Sequence, residues 1–262
     1  MISCLLGVVF TINALPDYRF CFAVISLIFL VGAFNTYNSI FDIKVDTINK
    51  PNRPLQKKQI TIKEARIFSI SLYSLALITG FFINQMFFII VLVSAILTFL
   101  YSFKKIGLKK RFLVGILAVN FFYMTLCFLS GWSLYPNNPI PIYPLIFLFL
   151  FGFGPAILKD VEDLEGDKKY NIQSFPVIFG CTKTIKLASF FVIYSFILLL
   201  IFINENIFPQ KYLLALLTLP LMMRTFYKIY NNLNKKELLK KEYHFVLLYL
   251  ILTEIILISI TI

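Results

Sequence analysis

Two short acidic segments hold the side chains best placed to do chemistry. The first is Asn38-Ser39-Ile40-Phe41-Asp42-Ile43-Lys44-Val45-Asp46, in which Asn38, Asp42 and Asp46 stand four residues apart. On a helix that spacing puts all three on one face. The second is Asp160-Val161-Glu162-Asp163-Leu164-Glu165-Gly166-Asp167, with Asp163 and Asp167 again four apart and Asp160 one turn earlier. Carboxylates stacked this way repel even in water, and near a bilayer desolvation adds to the cost. Hard divalent cations relieve both. Mg²⁺ takes one or two carboxylates and fills its other positions with water and phosphate oxygens, so two such faces on one side of a membrane predict Mg²⁺ ions held around a single diphosphate. The plainer alternative is a set of solvated loop carboxylates offsetting nearby lysines. Against it, seven of the 13 acidic residues fall in these two segments.

The elements that position them are membrane helices. Of 262 residues, 59% are hydrophobic, 17% aromatic and 15% charged, with a mean hydropathy of +0.83. A soluble domain is typically ~45–50% apolar and ~25% charged, so soluble, disordered and disulfide-scaffold classes are excluded. Apolar runs between polar breaks predict one all-α polytopic domain over 1–262, with nine helices near 2–14, 20–41, 64–83, 86–103, 112–132, 143–159, 184–203, 210–230 and 243–262. The first is short and lacks the cationic start of a signal peptide, so it reads as a clipped or tilted helix. If it is not a span, eight remain with the same sidedness.

The cations report that sidedness. The 2–3 connection holds Lys44, Lys50, Arg53, Lys57, Lys58, Lys63 and Arg66, and the 4–5 connection Lys104, Lys105, Lys109, Lys110 and Arg111. Lys159, Lys168, Lys169, Lys183 and Lys186 lie in the 6–7 connection; Arg224, Lys228, Lys235, Lys236, Lys240 and Lys241 lie in the 8–9 connection. Only Arg19 and Lys211 of the 25 Lys and Arg fall in odd connections. The even loops are therefore expected on the cytoplasmic side of the cell membrane. The net charge of +12 is then a topology signal rather than a nucleic-acid footprint. Cys4, Cys21, Cys127 and Cys181 form no CxxC pair and His244 is the only histidine, which excludes zinc, redox-dithiol and most triad chemistry.

Asn38-x₃-Asp42-x₃-Asp46, followed by Ile48-Asn49-Lys50-Pro51-Asn52-Arg53-Pro54-Leu55, resembles the first aspartate-rich motif of the UbiA superfamily of intramembrane prenyltransferases. Lys159-Asp160-Val161-Glu162-Asp163-Leu164-Glu165-Gly166-Asp167-Lys168-Lys169, continuing as Asn171-Ile172-Gln173-Ser174-Phe175-Pro176-Val177, is similar to the second. The likeness spans nearly the whole chain. It implies a nine-helix fold around a lipid-open cavity, capped on the cytoplasmic side by motifs that bind a Mg²⁺-complexed prenyl diphosphate. By motif position, Asn38, Asp42 and Asp46 serve one side and Asp163 and Asp167 the other, with Asp160 a ligand or close support. Arg53, Lys104 and Lys168 contact the diphosphate. Tyr101 and Lys105 match a Tyr-x-x-x-Lys element, with Lys104 as the substitute for Lys105.

Independently of the likeness, diphosphate leaves readily only when its charge is neutralised by Mg²⁺ and cationic side chains. The allylic carbon then gains cation character, which a dry cavity protects from water and aromatic faces stabilise. The 30 Phe and 14 Tyr could supply such walls, although for most of them lipid-facing filler is the simpler account. The Lys-Asp-Val-Glu-Asp-Leu-Glu-Gly-Asp form looks most like the branch that geranylgeranylates geranylgeranylglyceryl phosphate for archaeal-type ether lipids. Transfer to an aromatic ring of quinone, tocopherol or chlorophyll type is the alternative within the class. A divalent-cation transporter is the rival outside it, and a binding-only pseudoenzyme a third reading. Expected partners are a prenyl diphosphate, a lipophilic or phospholipid-like acceptor and the bilayer, with no nucleic acid and no obligate protein partner.

Two departures stand out. Ser39 occupies a position where many members carry Asp. A basic Arg-Pro turn, usual before the first helix and associated with the acceptor, is not seen ahead of Met1-Ile2-Ser3. Among single residues, Glu254 lies mid-span, where either a functional role or a polar interhelical contact fits. His244 is expected at the interface, and segment 235–241 as a positive-inside anchor that also attracts anionic lipid. Pro155 and Pro220 are expected to kink their helices.

Overall fold

A computed structural model describes all residues, 1–262, and its regular structure is entirely helical. In chain order the helices are α1 Ile2–Ile12, α2 Arg19–Phe41, α3 Ile43–Asn49, α4 Ile62–Ile83 and α5 Gln85–Ser102. They continue with α6 Val114–Trp132, α7 Ile142–Lys169, α8 Phe175–Phe179, α9 Cys181–Asn204, α10 Gln210–Asn231 and α11 Lys236–Thr261. Eight of these are long and apolar enough to cross a membrane; α1, at 11 residues, is not, although it is apolar. The nine apolar helices read from the sequence are thus eight spans plus a short α1.

Two boundaries differ in a way that matters. The sixth span, expected to end at 159, continues through Lys169, and the last begins at Lys236 rather than 243. At ~1.5 Å per residue the 28-residue α7 outruns a ~30 Å hydrocarbon core. Its charged last turns therefore project past the apolar slab, where hydrophobicity no longer marks the helix. The second acidic segment is part of α7, not of a loop after it. Pro220 sits just after a change of winding, where a 3-10 stretch, Gln210–Leu217, becomes α-helix at Thr218. Pro155 lies buried inside an unbroken α7.

Connections that the charge pattern groups together meet in space. At one end Lys109 pairs with Asp42, Lys50 with Asp163 and Lys236 with Glu165, so all four even connections share a face. At the other end Asn84 donates to the Ser133 carbonyl at 2.8 Å and Asn138 to the Thr11 carbonyl at 3.1 Å.

Two buried clusters fill the bundle. One gathers Leu27, Leu30, Phe34, Phe87, Val91 and Phe122 from α2, α5 and α6. The other gathers Phe147, Phe151, Ile157, Phe196, Phe226 and Leu250 from α7, α9, α10 and α11. α1 is wedged between them, giving Cys4 and Val8 to the first and Leu6 and Val9 to the second. Its close crossing with α6 depends on Gly7 and Gly131, because a methyl at either would fall on the backbone carbonyl of Phe128 or Cys4. Small residues at such crossings let helix backbones approach within packing distance. Gly131→Val is accordingly expected to cost about 1–3 kcal/mol, read as a lower thermal midpoint in detergent; an unchanged midpoint would contradict this packing. Glu254 accepts a hydrogen bond from the Ser3 hydroxyl at 2.7 Å, both buried, so of its two roles the structure supports the interhelical contact. His244 is exposed, with Nδ1 2.6 Å from the Lys240 carbonyl oxygen.

Candidate active site

The first acidic face is built across a joint rather than along one helix. α2 ends at Phe41, Asp42 departs from helical geometry (φ −96°, ψ 6°), and α3 begins at Ile43. The i to i−4 bonding nevertheless runs through: Asp42 N–H to the Asn38 carbonyl at 3.0 Å, and Asp46 N–H to the Asp42 carbonyl at 2.7 Å. The joint keeps the i to i−4 register, so Asn38, Asp42 and Asp46 stay on one side.

Cations meet this face from two other segments. Lys109 Nζ donates to Asp42 at 2.5 Å and to Asn38 Oδ1 at 3.1 Å, and Ser102 Oγ donates to the same Asn38 oxygen at 2.9 Å. Arg53 Nη1 donates to Asp46 at 2.5 Å and to Ser39 Oγ at 3.0 Å. Ser39 thus helps to hold Arg53. Burial pushes the Asp46 carboxyl above the ordinary carboxylate range, while Lys50 and Arg53 pull it back.

The second face lies opposite on α7. Asp163 Oδ2 accepts from Lys159 and from Lys50, each at 3.0 Å. Lys50 Nζ also lies 3.7 Å from Asp46 Oδ1, so one ammonium touches carboxylates of both motifs, more than a hundred residues apart in sequence. Asp160 and the buried Asp167 make no ion pair. Tyr101 lies within electrostatic reach of Asp160, Asp42 and Asp167, and packs edge-on against Phe34 at 5.5 Å. Phe34 also contacts Phe122 at 5.4 Å and Tyr123 at 6.2 Å, which builds an aromatic wall beneath the carboxylates. Tyr123 OH donates to Asn35 Oδ1 at 3.5 Å.

The sequence-derived set therefore gathers in part. Asn38, Asp42, Asp46, Arg53, Tyr101, Asp160, Asp163 and Asp167 come together, whereas Lys104, Lys105 and Lys168 are exposed and unpaired. The lysine that reaches the carboxylates from the 4–5 connection is Lys109. Its helical phase could not be read from sequence because the intervening turn passes through positive φ at Gly107 (51°) and Leu113 (65°). Lys105→Ala is expected to slow turnover by less than about threefold, since an exposed, solvent-screened charge contributes little. A loss as large as that of a Lys109 variant would put Lys105 at the reaction centre instead.

No three acidic, histidine or cysteine side chains converge tightly enough to hold a metal ion unaided. The donor set suits Mg²⁺ completed by phosphate oxygens and water: all-oxygen, drawn from the α2–α3 joint and from α7, with Asp160 and Asp167 making no ion pair.

Residues 1–250 match the sequence profile of the UbiA prenyltransferase family. The chain is 31% identical over 201 residues to digeranylgeranylglyceryl phosphate synthase of Methanosphaera stadtmanae, covering 77% of this chain and 72% of that protein. It is 31% identical over 238 residues to the synthase of the same name from Methanococcus vannielii, covering 90% and 83%. A solved structure concerning digeranylgeranylglyceryl phosphate synthase in membranes superposes with a TM-score of 0.69 at 29% identity, over 98% of this chain and 91% of that one. A UbiA homologue of Archaeoglobus fulgidus, solved with DMAPP and Mg²⁺, superposes with a TM-score of 0.73 at 22% identity over 99% and 96%, a likeness of fold.

Proposed function

Because this chain belongs to the UbiA prenyltransferase family, we propose that it transfers a geranylgeranyl group from geranylgeranyl diphosphate to the free hydroxyl of geranylgeranylglyceryl phosphate. The product carries the second isoprenoid chain of an archaeal-type ether lipid. The observation that carries the reading is the reach of Lys50 to both Asp46 and Asp163, which supports treating the two motifs as one site.

Asn38, Asp42 and Asp46 on one side, and Asp160, Asp163 and Asp167 on the other, are the groups that would hold magnesium. Mg²⁺, when bound, supplies the Lewis acidity that neutralises the leaving diphosphate. Lys109, Arg53, Lys50 and Lys159 turn their cations toward the same phosphates and stabilise charge growing on the leaving oxygen. Lys104, Lys105 and Lys168, exposed near the mouth, raise the local potential that draws anionic substrates in. As the C1–O bond of the donor breaks, its electron pair leaves with diphosphate. Tyr101 and Tyr123, partly buried near the carboxylates, offer π-electron density to the allylic carbon and help exclude water, with the buried Phe34 and Phe122 packed against them. The acceptor hydroxyl oxygen forms the new C–O bond, and its proton passes to the released diphosphate. Sidedness rests on the positive-inside rule: the cation-rich even connections, and with them the site, face the cytoplasm.

Labelled geranylgeranyl diphosphate, offered together with geranylgeranylglyceryl phosphate and an aromatic acid, is expected to label the glycerol phosphate. Label in the aromatic product instead would overturn the acceptor assignment. Relatives named for the lipid reaction support the first outcome. The transporter alternative needs a polar trail through the bilayer, and its one mid-span acid, Glu254, is engaged by Ser3.

A further inference from the structure

We infer that Asn49 is a positioning residue that sets the distance between the two carboxylate faces, an inference that rests on the reaction proposed above. The side chain closes α3 and lies flat on α7. Its Nδ2 donates to the Asp163 carbonyl at 2.9 Å, and its Oδ1 accepts from the Gly166 N–H at 3.0 Å. These two bonds join segments 114 and 117 residues apart. The backbone groups they take belong to Asp163 itself and to the residue just before Asp167. On its own side, Asn49 follows Asp46 by three residues and precedes Lys50, whose ammonium bridges Asp46 and Asp163. The amide is therefore fixed where displacement of α3 against α7 changes the distances from Asp46 and Lys50 to the second motif.

The chemistry demands this residue type. A primary amide offers a donor and an acceptor in one rigid plane, which matches a carbonyl and an N–H presented three residues apart on a helix. Aspartate keeps the acceptor, loses the donor and sets a negative charge against the Asp163 carbonyl. Glutamine keeps both groups but adds a methylene, which must push the helices apart or buckle. Gly166 is the other half of the joint. A Cβ there would lie 2.5 Å from Asn49 Nδ2 and 2.7 Å from Oδ1, so any larger residue evicts the amide. In a site whose two halves share one diphosphate, a shift of about 1 Å can cost on the order of 10²-fold in rate.

The test compares wild type with Asn49→Asp, Asn49→Gln, Gly166→Ala and the Asn49→Asp/Gly166→Ala double variant. It measures kcat, KM for each substrate, the half-saturating Mg²⁺ concentration and the thermal midpoint. The inference predicts that each single variant loses about 30–100-fold in kcat and needs several times more Mg²⁺. KM for the glycerol phosphate acceptor stays within about twofold, because this joint touches only the donor half. The double variant is no slower than the slower single, because both break one joint. Lower thermal midpoints with unchanged kcat and Mg²⁺ dependence, or losses that multiply in the double variant, overturn it. Calorimetric titration of geranylgeranyl diphosphate with Mg²⁺ separates the two levels. If wild type binds the donor without transferring it, the proposed reaction fails. The joint is then judged on whether the variants weaken Mg²⁺-dependent donor binding, and unweakened binding overturns it.

Discussion

Replacing Asp163 with asparagine is expected to lower turnover by about three orders of magnitude while the helices stay folded. The carboxylate is the meeting point of the site, taking Lys50 from the first motif and Lys159 from its own helix. Asparagine keeps an acceptor oxygen and the side-chain volume but removes the charge that would hold magnesium and order both lysines. Loss of a preorganised group at the leaving phosphate costs on the order of 10²–10³ in rate, and disturbing Lys50 carries the effect to the first motif. Stability should fall by no more than about 1–3 kcal/mol, the worth of hydrogen bonds to a charged group, because the side chains of Lys50 and Lys159 remain 28% and 42% exposed. Steady-state transfer assays paired with thermal unfolding check both parts. Wild-type turnover would remove Asp163 from the reaction.

Replacing Lys109 with alanine is expected to cost about 10²–10³ in kcat, with arginine restoring only part of it. The ammonium is held by two groups at once: Asp42 and Asn38 both accept from it, Ser102 steadies Asn38, and the lysine side chain is only 9% exposed. A cation so buried and oriented can stabilise charge on a departing phosphate without being reorganised at the moment of reaction. Arginine keeps the charge, but its planar fork does not fit where a compact ammonium touches two oxygens. Comparison of kcat for Lys109→Ala and Lys105→Ala under the same conditions checks the assignment. Equal, small effects would contradict it.

These positions divide by how much of their geometry local pattern encodes. The i, i+4 repeat of Asn38, Asp42 and Asp46 predicts a shared face, and the face exists, because the backbone ladder survives the joint at Asp42. The joint itself leaves no mark, since the φ of −96° and ψ of 6° at Asp42 can be adopted by a non-glycine residue and require no special one. Alternating loop charge predicts which connections meet, and they do, because each span must reverse direction. The last turns of α7 escape a reading by hydropathy because they leave the hydrocarbon and become polar while staying helical. Lys109 escapes because it is one of five cations in a turn whose path depends on Gly107 and Leu113 at positive φ. Tyr123 escapes because Phe121–Leu126 is wound as a π-helix, which breaks the 3.6-residue phase that a sequence reading assumes. Asn49 is the extreme case: uncharged, in a polar stretch, with partners that are backbone atoms more than a hundred residues away.

The central claim is that two aspartate faces form one magnesium–diphosphate site that transfers a prenyl group. Its most direct test is diphosphate release by purified protein given geranylgeranyl diphosphate and geranylgeranylglyceryl phosphate, with and without Mg²⁺, for wild type, Asp42→Ala and Asp163→Ala. The account predicts one diphosphate per ether formed by wild type, none without Mg²⁺, and near-complete loss in both variants. Turnover that persists in both variants, or that proceeds unchanged without the metal, would contradict it.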